Sequence, residues 1–161
     1  MTRLSYQAVR DNDCTIDPLA PGDLPEVMEI ERCSYSHPWS EAVFLDCFRP
    51  DYRLWAFRHG GSLGGYAVVA YLYDEAHLLN LCVAKARRGE GAGRQLLRHL
   101  VARATHDGMQ QTILEVRVSN SSAVALYESE GFRVIGHRPG YYPAANGRED
   151  AKVMALDLST D

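Results

Sequence analysis

The chain has 161 residues, 46% of them apolar, 24% charged and 9% aromatic, which is the composition of an ordinary folded domain and not of a disordered or collagen-like chain. Its 17 basic and 21 acidic residues leave a net charge of −4, which argues against a general binder of nucleic acid or of anionic membranes. A chain of this length buries roughly 70% of its unfolded surface, so it needs neither metal nor disulfide to hold it.

The longest apolar run, Tyr66 to Tyr73, falls well short of the roughly 20 residues of a membrane span. The first ten residues lack an apolar stretch of signal-peptide length, so the expectation is a protein that stays in the cytoplasm. Cysteines 14, 33, 47 and 82 form no Cys-x-x-Cys pair, so no zinc site is expected and free thiols in a reducing compartment fit best.

Residues 1–13 are polar and aperiodic and read as a flexible tail, with 14–161 as one domain. Cys14 to Leu19 has the make-up of a first strand. Asp23 stands where it can cap a helix carrying Leu24, Val27, Ile30 and Glu31, with Pro25 tolerated in the first turn. A second helix opens near Ser40, with Trp39 and Phe44 at the positions of a hydrophobic staple. Tyr52–His59 and Leu63–Tyr73 are β-rich runs joined by Gly60-Gly61-Ser62, a hairpin signature, and Ala76–Val83 is a third such run. From Gly91 the apolar residues Leu96, Leu97, Leu100, Val101 and Ala104 recur at helical spacing, with Gly108 as a stop. Thr112–Val118 reads as a strand, and Ser121–Glu130 as a helix ended by Gly131. Residues 132–138 and 151–158 read as closing strands around a loop that runs from Gly140 to Arg148. The order β-α-α-β-β-β-α-β-α-β-β implies one mixed sheet with helices on its faces.

Arg88-Gly89-Glu90-Gly91-Ala92-Gly93 follows a strand and opens a helix. Glycines there let a ligand approach the backbone, and the amides and dipole of a helix start attract an anion. Lys85, Arg87, Arg88, Arg94 and Arg98 crowd the same turn. The pattern suits a phosphate-bearing cofactor, or else a tight turn on a solvated basic face. The spacing is not Gly-x-Gly-x-x-Gly, and no Gly-Lys-Ser/Thr follows, so a dinucleotide fold and a P-loop are both poor fits.

In Ile113-Leu-Glu-Val-Arg-Val118, alternation puts Glu115 and Arg117 on one face. A carboxylate on a strand covered by helices is costly unless it is paired or functional. The alternatives are a Glu115–Arg117 ladder or a structural hydrogen-bond network. Asn120, Val124 and Tyr127 fall along one helical face. By itself Asn120 suits an N-cap, and Tyr127 suits a core aromatic.

Taken together, these segments resemble the GCN5-related N-acetyltransferase (GNAT) superfamily. Leu81-Cys-Val83 followed by Arg88-x-x-Gly91-x-Gly93 is similar to its acetyl-coenzyme A motif, and Asn120 to Phe132 to the helix and strand that follow. His37-Pro-Trp-Ser40, Leu114-Glu-Val-Arg117, Tyr141-Tyr-Pro143 and Gly147-Arg-Glu-Asp-Ala151 resemble the RimI branch, which acetylates the N-terminal alanine of a small-subunit ribosomal protein. Ala84-Lys-Ala-Arg87 departs from the usual Asp-Pro-x-Tyr, and Gly140 stands where Asn or Asp often precedes the two tyrosines.

The resemblance implies an α/β fold: a mixed, mostly antiparallel sheet of about seven strands, splayed between the fourth and fifth. It implies an acetyl-CoA-dependent N-acetyltransferase with no metal. By position, Glu115 becomes the general base and Tyr127 the general acid. Leu81, Cys82 and Val83 become the strand edge for pantetheine, Gly89, Glu90, Gly91, Ala92, Gly93 and Arg94 the pyrophosphate loop, and Asn120 a coenzyme contact. His37, Trp39, Tyr141 and Tyr142 frame the substrate entrance. The implied partner is a ribosomal-protein N-terminus, with no nucleic acid or membrane. Transfer to a small amine or an internal lysine, or acyl-CoA binding without turnover, are the alternatives.

The acceptor's proton has a bearing on that choice. A peptide α-amine of pKa near 7.7–8.0 is about a tenth neutral at pH 7, against under a thousandth of a lysine of pKa near 10.4. That gap of about 2.5 units, roughly 3.5 kcal/mol, favours the α-amine for a site with one carboxylate base.

Overall fold

The computed structural model describes residues 14–159. The tail expected over 1–13 lies outside the described residues. Strands β1 (Cys14–Pro18), β2 (Tyr52–His59), β3 (Ser62–Leu72), β4 (Glu75–Val83), β5 (Gln111–Arg117), β6 (Arg133–Ala144) and β7 (Gly147–Asp157) form one sheet in the order β1-β2-β3-β4-β5-β7-β6. The helices are α1 (Leu24–Ser34), α2 (Glu41–Leu45), α3 (Ala92–His106) and α4 (Ser121–Ser129), in the chain order that the periodicity predicts. The sheet is mixed: β1–β2, β5–β7 and β6–β7 are antiparallel and β4–β5 is parallel. The parallel ladder runs from Glu75–Gln111 to Leu78–Leu114 and ends there, although β4 continues to Val83 and β5 to Arg117. This is the expected splay between the fourth and fifth strands.

By packing, the chain falls into two compact units. The first holds the described residues up to Val68 together with Asn80–Leu100; the second holds Val69–Leu79 and the chain from Val101 on. In the first, α1 buries Leu24, Val27, Met28 and Glu31, a stripe at helical spacing. That stripe packs into a cluster with Phe44, Leu54, Ala56, Tyr66 and Val68. Gly60 and Gly61 take φ of +58° and +84°, the left-handed pair that a tight hairpin between β2 and β3 requires. The Ser40 hydroxyl accepts from the Val43 amide, and the Trp39 ring lies 5.1 Å from Phe44, so the staple at α2 forms as expected.

Asp23 departs from its expected role. It precedes α1 without a side-chain cap bond. Its carboxylate instead accepts from the Ala20 amide at 2.8 Å and from both terminal nitrogens of Arg58 at 3.0 and 2.8 Å. A forked, charge-assisted pair is a stronger partner than an exposed helix amide, so it wins the carboxylate. Arg58 holds the Asp23 carboxyl below the usual range. Gly65 carries a different constraint: a Cβ placed there would sit 2.8 Å from the Cys82 carbonyl oxygen and 3.3 Å from a Leu96 methyl.

In the second unit β5 alternates buried and half-buried residues, with Thr112, Leu114 and Val116 buried. The loop expected over 140–148 is largely strand. β6 and β7 make a long hairpin in which Tyr142 faces Glu149 and Ala144 faces Gly147. The Gly, Pro and Asn of this segment mark a register shift between Arg138 and Tyr142 and a tight turn, not an open loop.

Gly65→Ala is expected to cost about 1–3 kcal/mol, because the obstructing atom is backbone and cannot swing aside. Gly22→Ala, where a Cβ meets nothing within 4 Å, should stay within about 0.5 kcal/mol of wild type. Thermal melts of the two variants check this pair. Asp23→Asn should cost roughly 1–3 kcal/mol at pH 7. The folded carboxyl is the stronger acid, so its contribution is complete above the unfolded value near 3.9 and disappears as pH falls through the lower folded value. Urea denaturation of wild type and variant from pH 7 to pH 3 should therefore show their stabilities converging at the acid end.

Candidate active site

Main-chain groups of successive strand residues point to opposite sides, so Leu81 and Val83 face one way and Cys82 and Ala84 the other. The Ala84 amide donates to the Gly64 carbonyl at 2.8 Å, which turns Cys82 and Ala84 toward β3. The Cys82 side chain is buried and its thiol free of any disulfide. On the other side, the Leu81 carbonyl accepts from the Tyr35 hydroxyl at 3.2 Å and the Val83 carbonyl from Arg88 Nε at 3.0 Å. Arg88 also donates to Ser34 Oγ at 3.1 Å, so this member of the basic cluster ties the turn to the end of α1.

The turn itself is built on two left-handed glycines, Gly89 at φ +79° and Gly91 at φ +85°. At both, a Cβ would meet nothing within 4 Å. Backbone conformation therefore demands glycine here, and the same residues leave clear space above the turn. Glu90 is exposed, Gly93 and Arg94 are half-buried, and Ala92 is buried as α3 begins. The Gln95 amide donates to the Gly91 carbonyl at 3.0 Å, so the amides of Ala92 and Gly93 precede the helical ladder, where an anion is best received. A pocket of about 210 Å³ lined by Cys14, Phe57, His59, Arg87, Glu90, Ala92 and Gln95 adjoins the turn. In the same unit His37 is exposed with its ring bonded to Ser36, while Trp39 is half-buried.

The second unit gathers the other candidates. Glu115, with its side chain 18% exposed, pairs with Arg138 Nε at 3.3 Å, and not with Arg117. Arg117 instead bonds Glu149 at 3.2 Å and the Pro143 carbonyl at 2.9 Å, and lies 4.5 Å over the Tyr142 ring. Tyr141 and Tyr142 meet edge to face at 4.9 Å, and Arg138 covers Tyr141 at 5.5 Å. Gly140 takes φ +58°, a conformation that Asn and Asp also tolerate, which explains the exchange noted in the sequence. Arg148 donates to the Gly140 and Tyr141 carbonyls and Asp150 accepts from the Gly140 amide, so the turn before the tyrosines is clamped.

Tyr127 is buried and packs on Phe132 at 5.7 Å. Burial, then its neighbour Tyr142, pushes the phenol above its ordinary range, so it holds its proton throughout neutral pH. Burial likewise pushes Tyr142 up to about 12, with Tyr141 and Glu115 adding to the effect. Glu115, Tyr127, Tyr141 and Tyr142 are thus neighbours around one hairpin. Asn120 caps α4: its side chain accepts from the Ala123 amide at 3.3 Å.

Two contributors went unnoticed in the sequence. Arg138 ends the strand expected over 132–138, where no apolar alternation sets its direction. Glu31 was placed on the inner face of α1 but not in the site, although a carboxylate in an apolar stripe is itself a signal. Among the described residues no cluster of three or more His, Cys, Asp or Glu could hold a metal, and no helix is long and apolar enough to cross a membrane.

Comparison with known proteins identifies the family and the fold. Residues 24–132 match the acetyltransferase (GNAT) family model. The chain is 39% identical over 145 residues to the [ribosomal protein bS18]-alanine N-acetyltransferase of Escherichia coli, covering 90% of this chain and 98% of that protein. It is similar to the crystal structure of the Escherichia coli ribosomal-protein-S18-alanine N-acetyltransferase with a TM-score of 0.88 and 38% identity, over 92% of this chain and 96% of that one. It is similar also to Ard1 from Thermoplasma volcanium, with a TM-score of 0.82 and 25% identity over 92% and 99% of the two chains. With the family model matching most of its length and a relative this similar from end to end, the chain belongs to the acetyltransferase (GNAT) family.

Proposed function

We propose that this protein is an N-terminal acetyltransferase that moves an acetyl group from acetyl-CoA to the α-amine of an N-terminal alanine of a small-subunit ribosomal protein. The observation that carries the reading is the 39% identity to a bS18-alanine N-acetyltransferase over 98% of that enzyme's length. The ribosomal substrate sets the reaction in the cytoplasm, and we read 14–161 as one catalytic domain.

Acetyl-CoA supplies an activated acetyl thioester. The open left-handed turn Gly89–Gly91, with Ala92, Gly93 and Arg94 at the start of α3, has the space and amides for a pyrophosphate. Leu81 and Val83 present main chain on the side away from β3, where the pantetheine arm pairs and the thioester carbonyl is polarised; Cys82 contributes its place in the strand. Asn120 holds the start of α4 for its coenzyme contact. Glu115 accepts the proton that the ammonium must lose, directly or through water. The nitrogen lone pair then forms the new N–C bond as the C–S bond breaks. Tyr127, kept protonated by burial, supplies the proton for the departing sulfur and is reprotonated by the second proton that the acylated nitrogen loses, relayed through water. His37, Trp39, Tyr141 and Tyr142 frame the first residue of the acceptor.

Mass spectrometry after incubation with acetyl-CoA should find acetyl on a peptide with a free N-terminal alanine. A peptide blocked at its N-terminus and carrying a lysine should be a far poorer acceptor; were it the better one, the N-terminal reading would fail. Tyr127→Phe should lower kcat by about 10²-fold with acetyl-CoA affinity unchanged. Glu115→Gln should lower kcat/KM near pH 7 by a similar factor, about 10²-fold. That loss should shrink above the amine's pKa near 8, where solvent delivers the neutral nucleophile. An equal loss at every pH would make Glu115 a substrate-positioning group.

A further inference from the structure

Glu31 is 1% exposed, yet three neutral donors converge on its carboxylate. The Trp39 amide reaches Oε2 at 2.9 Å. The Tyr66 hydroxyl and the Asn80 side-chain amide reach Oε1 at 2.6 and 3.1 Å. Tyr66 is fully buried, and Asn80 immediately precedes Leu81 on β4. The Tyr35 hydroxyl lies 3.4 Å from Asn80 Oδ1 and 3.2 Å from the Leu81 carbonyl, so the segment 35–39 is tied to β4 directly at Tyr35 and through Glu31 at Trp39. The Trp39 ring also rests on Phe44, and Phe44 on Tyr66 at 5.8 Å. A carboxylate placed so deep is costly unless it organises its donors.

We infer that Glu31 is a positioning residue for acetyl transfer, fixing the His37–Trp39 segment against the Leu81 end of β4 and thereby setting which first residue of the acceptor is admitted. This rests on the N-terminal acetyltransferase reading. The backbone amide of Trp39 cannot invert, and the side chain that accepts from it is Glu31. The coenzyme end of β4 has supports independent of Glu31: Arg88 holds the Val83 carbonyl, and on the opposite side Gly64 holds the Ala84 amide. Loss of Glu31 therefore loosens the acceptor side and leaves the coenzyme side in place.

Peptides opening on Ala, Ser or Met are assayed with wild type, Glu31→Ala and Glu31→Gln, with acetyl-CoA affinity taken by calorimetry. Glu31→Ala is expected to raise the alanine peptide's KM about tenfold, as expected for one lost charge-assisted hydrogen bond. The preference for alanine should narrow, while the acetyl-CoA Kd stays within about twofold of wild type. Glu31→Gln should restore most of the KM, because its oxygen can take the Trp39 amide while its NH₂ donates to Tyr66 and to an inverted Asn80 amide. A folded Glu31→Ala with wild-type KM and selectivity overturns the proposal. So does a parallel loss of peptide and coenzyme binding, which marks a purely structural role. Should Glu31→Ala not fold, amide exchange in the wild type decides: a Trp39 amide as slow as those of β4 supports the tie, and exchange at loop rates refutes it. If wild type acetylates none of the N-terminal peptides, the proposed function falls and this inference with it; failure confined to the variants sinks only the role of Glu31.

Discussion

Beyond Leu78, β4 outruns its ladder with β5, and the main-chain groups of Leu81 and Val83 must be satisfied by something other than a neighbouring strand. Tyr35 reaches Leu81 and Arg88 reaches Val83. Those two side chains bring the end of α1 and the glycine turn to the same few residues. Gly65 lets β3 lie close beneath, because no side chain holds it away from the Cys82 carbonyl. On the proposed function, this strand end short of partners is where the extended arm of the coenzyme pairs.

A different economy governs the β6–β7 hairpin. Its aromatic pair would be mobile if it sat on the open loop that its Gly, Pro and Asn content suggests. Instead the segment is held by charged side chains: Arg148 and Asp150 on Gly140, Arg117 on Pro143, and Glu149 on the Ser119 amide at 2.8 Å. Hydrogen bonds from Ser119, with Arg117 beside it, keep Glu149 ionised by holding its carboxyl below the usual range. The guanidinium groups of Arg117 and Arg138 then serve twice, pairing with carboxylates through their edges and covering tyrosine rings with their faces.

Much of this was legible in the sequence because the signals were strong and local. Leu96, Leu97, Leu100 and Ala104 could belong only to a helix, and Gly60-Gly61 only to a tight turn. The period-2 pattern of 113–118 put Glu115 on the face opposite Leu114 and Val116, which are buried. What stayed hidden were choices between partners. Asp23 had both a helix end and a distant Arg58 available, and only the fold brings Arg58 near. Glu115 had Arg117 two residues away, but alternation within a strand gave no hint that Arg138 would reach it first. The β6–β7 hairpin was read as shorter because Gly140, Pro143 and Asn146 weaken strand propensity locally, while cross-strand pairing such as Tyr142 with Glu149 restores it. Glu31 was read only as part of the first helix, and its meaning required the positions of Trp39, Tyr66 and Asn80.

The central claim is that the end of β4 and the Gly89–Arg94 turn together receive acetyl-CoA. Amide hydrogen exchange with and without acetyl-CoA addresses it directly, since it reads backbone pairing residue by residue. The account predicts new protection at Leu81 and Val83 and across Gly89–Arg94, with Cys82, already turned toward β3, changed least. Protection elsewhere, with these amides exchanging as in the free protein, would contradict it.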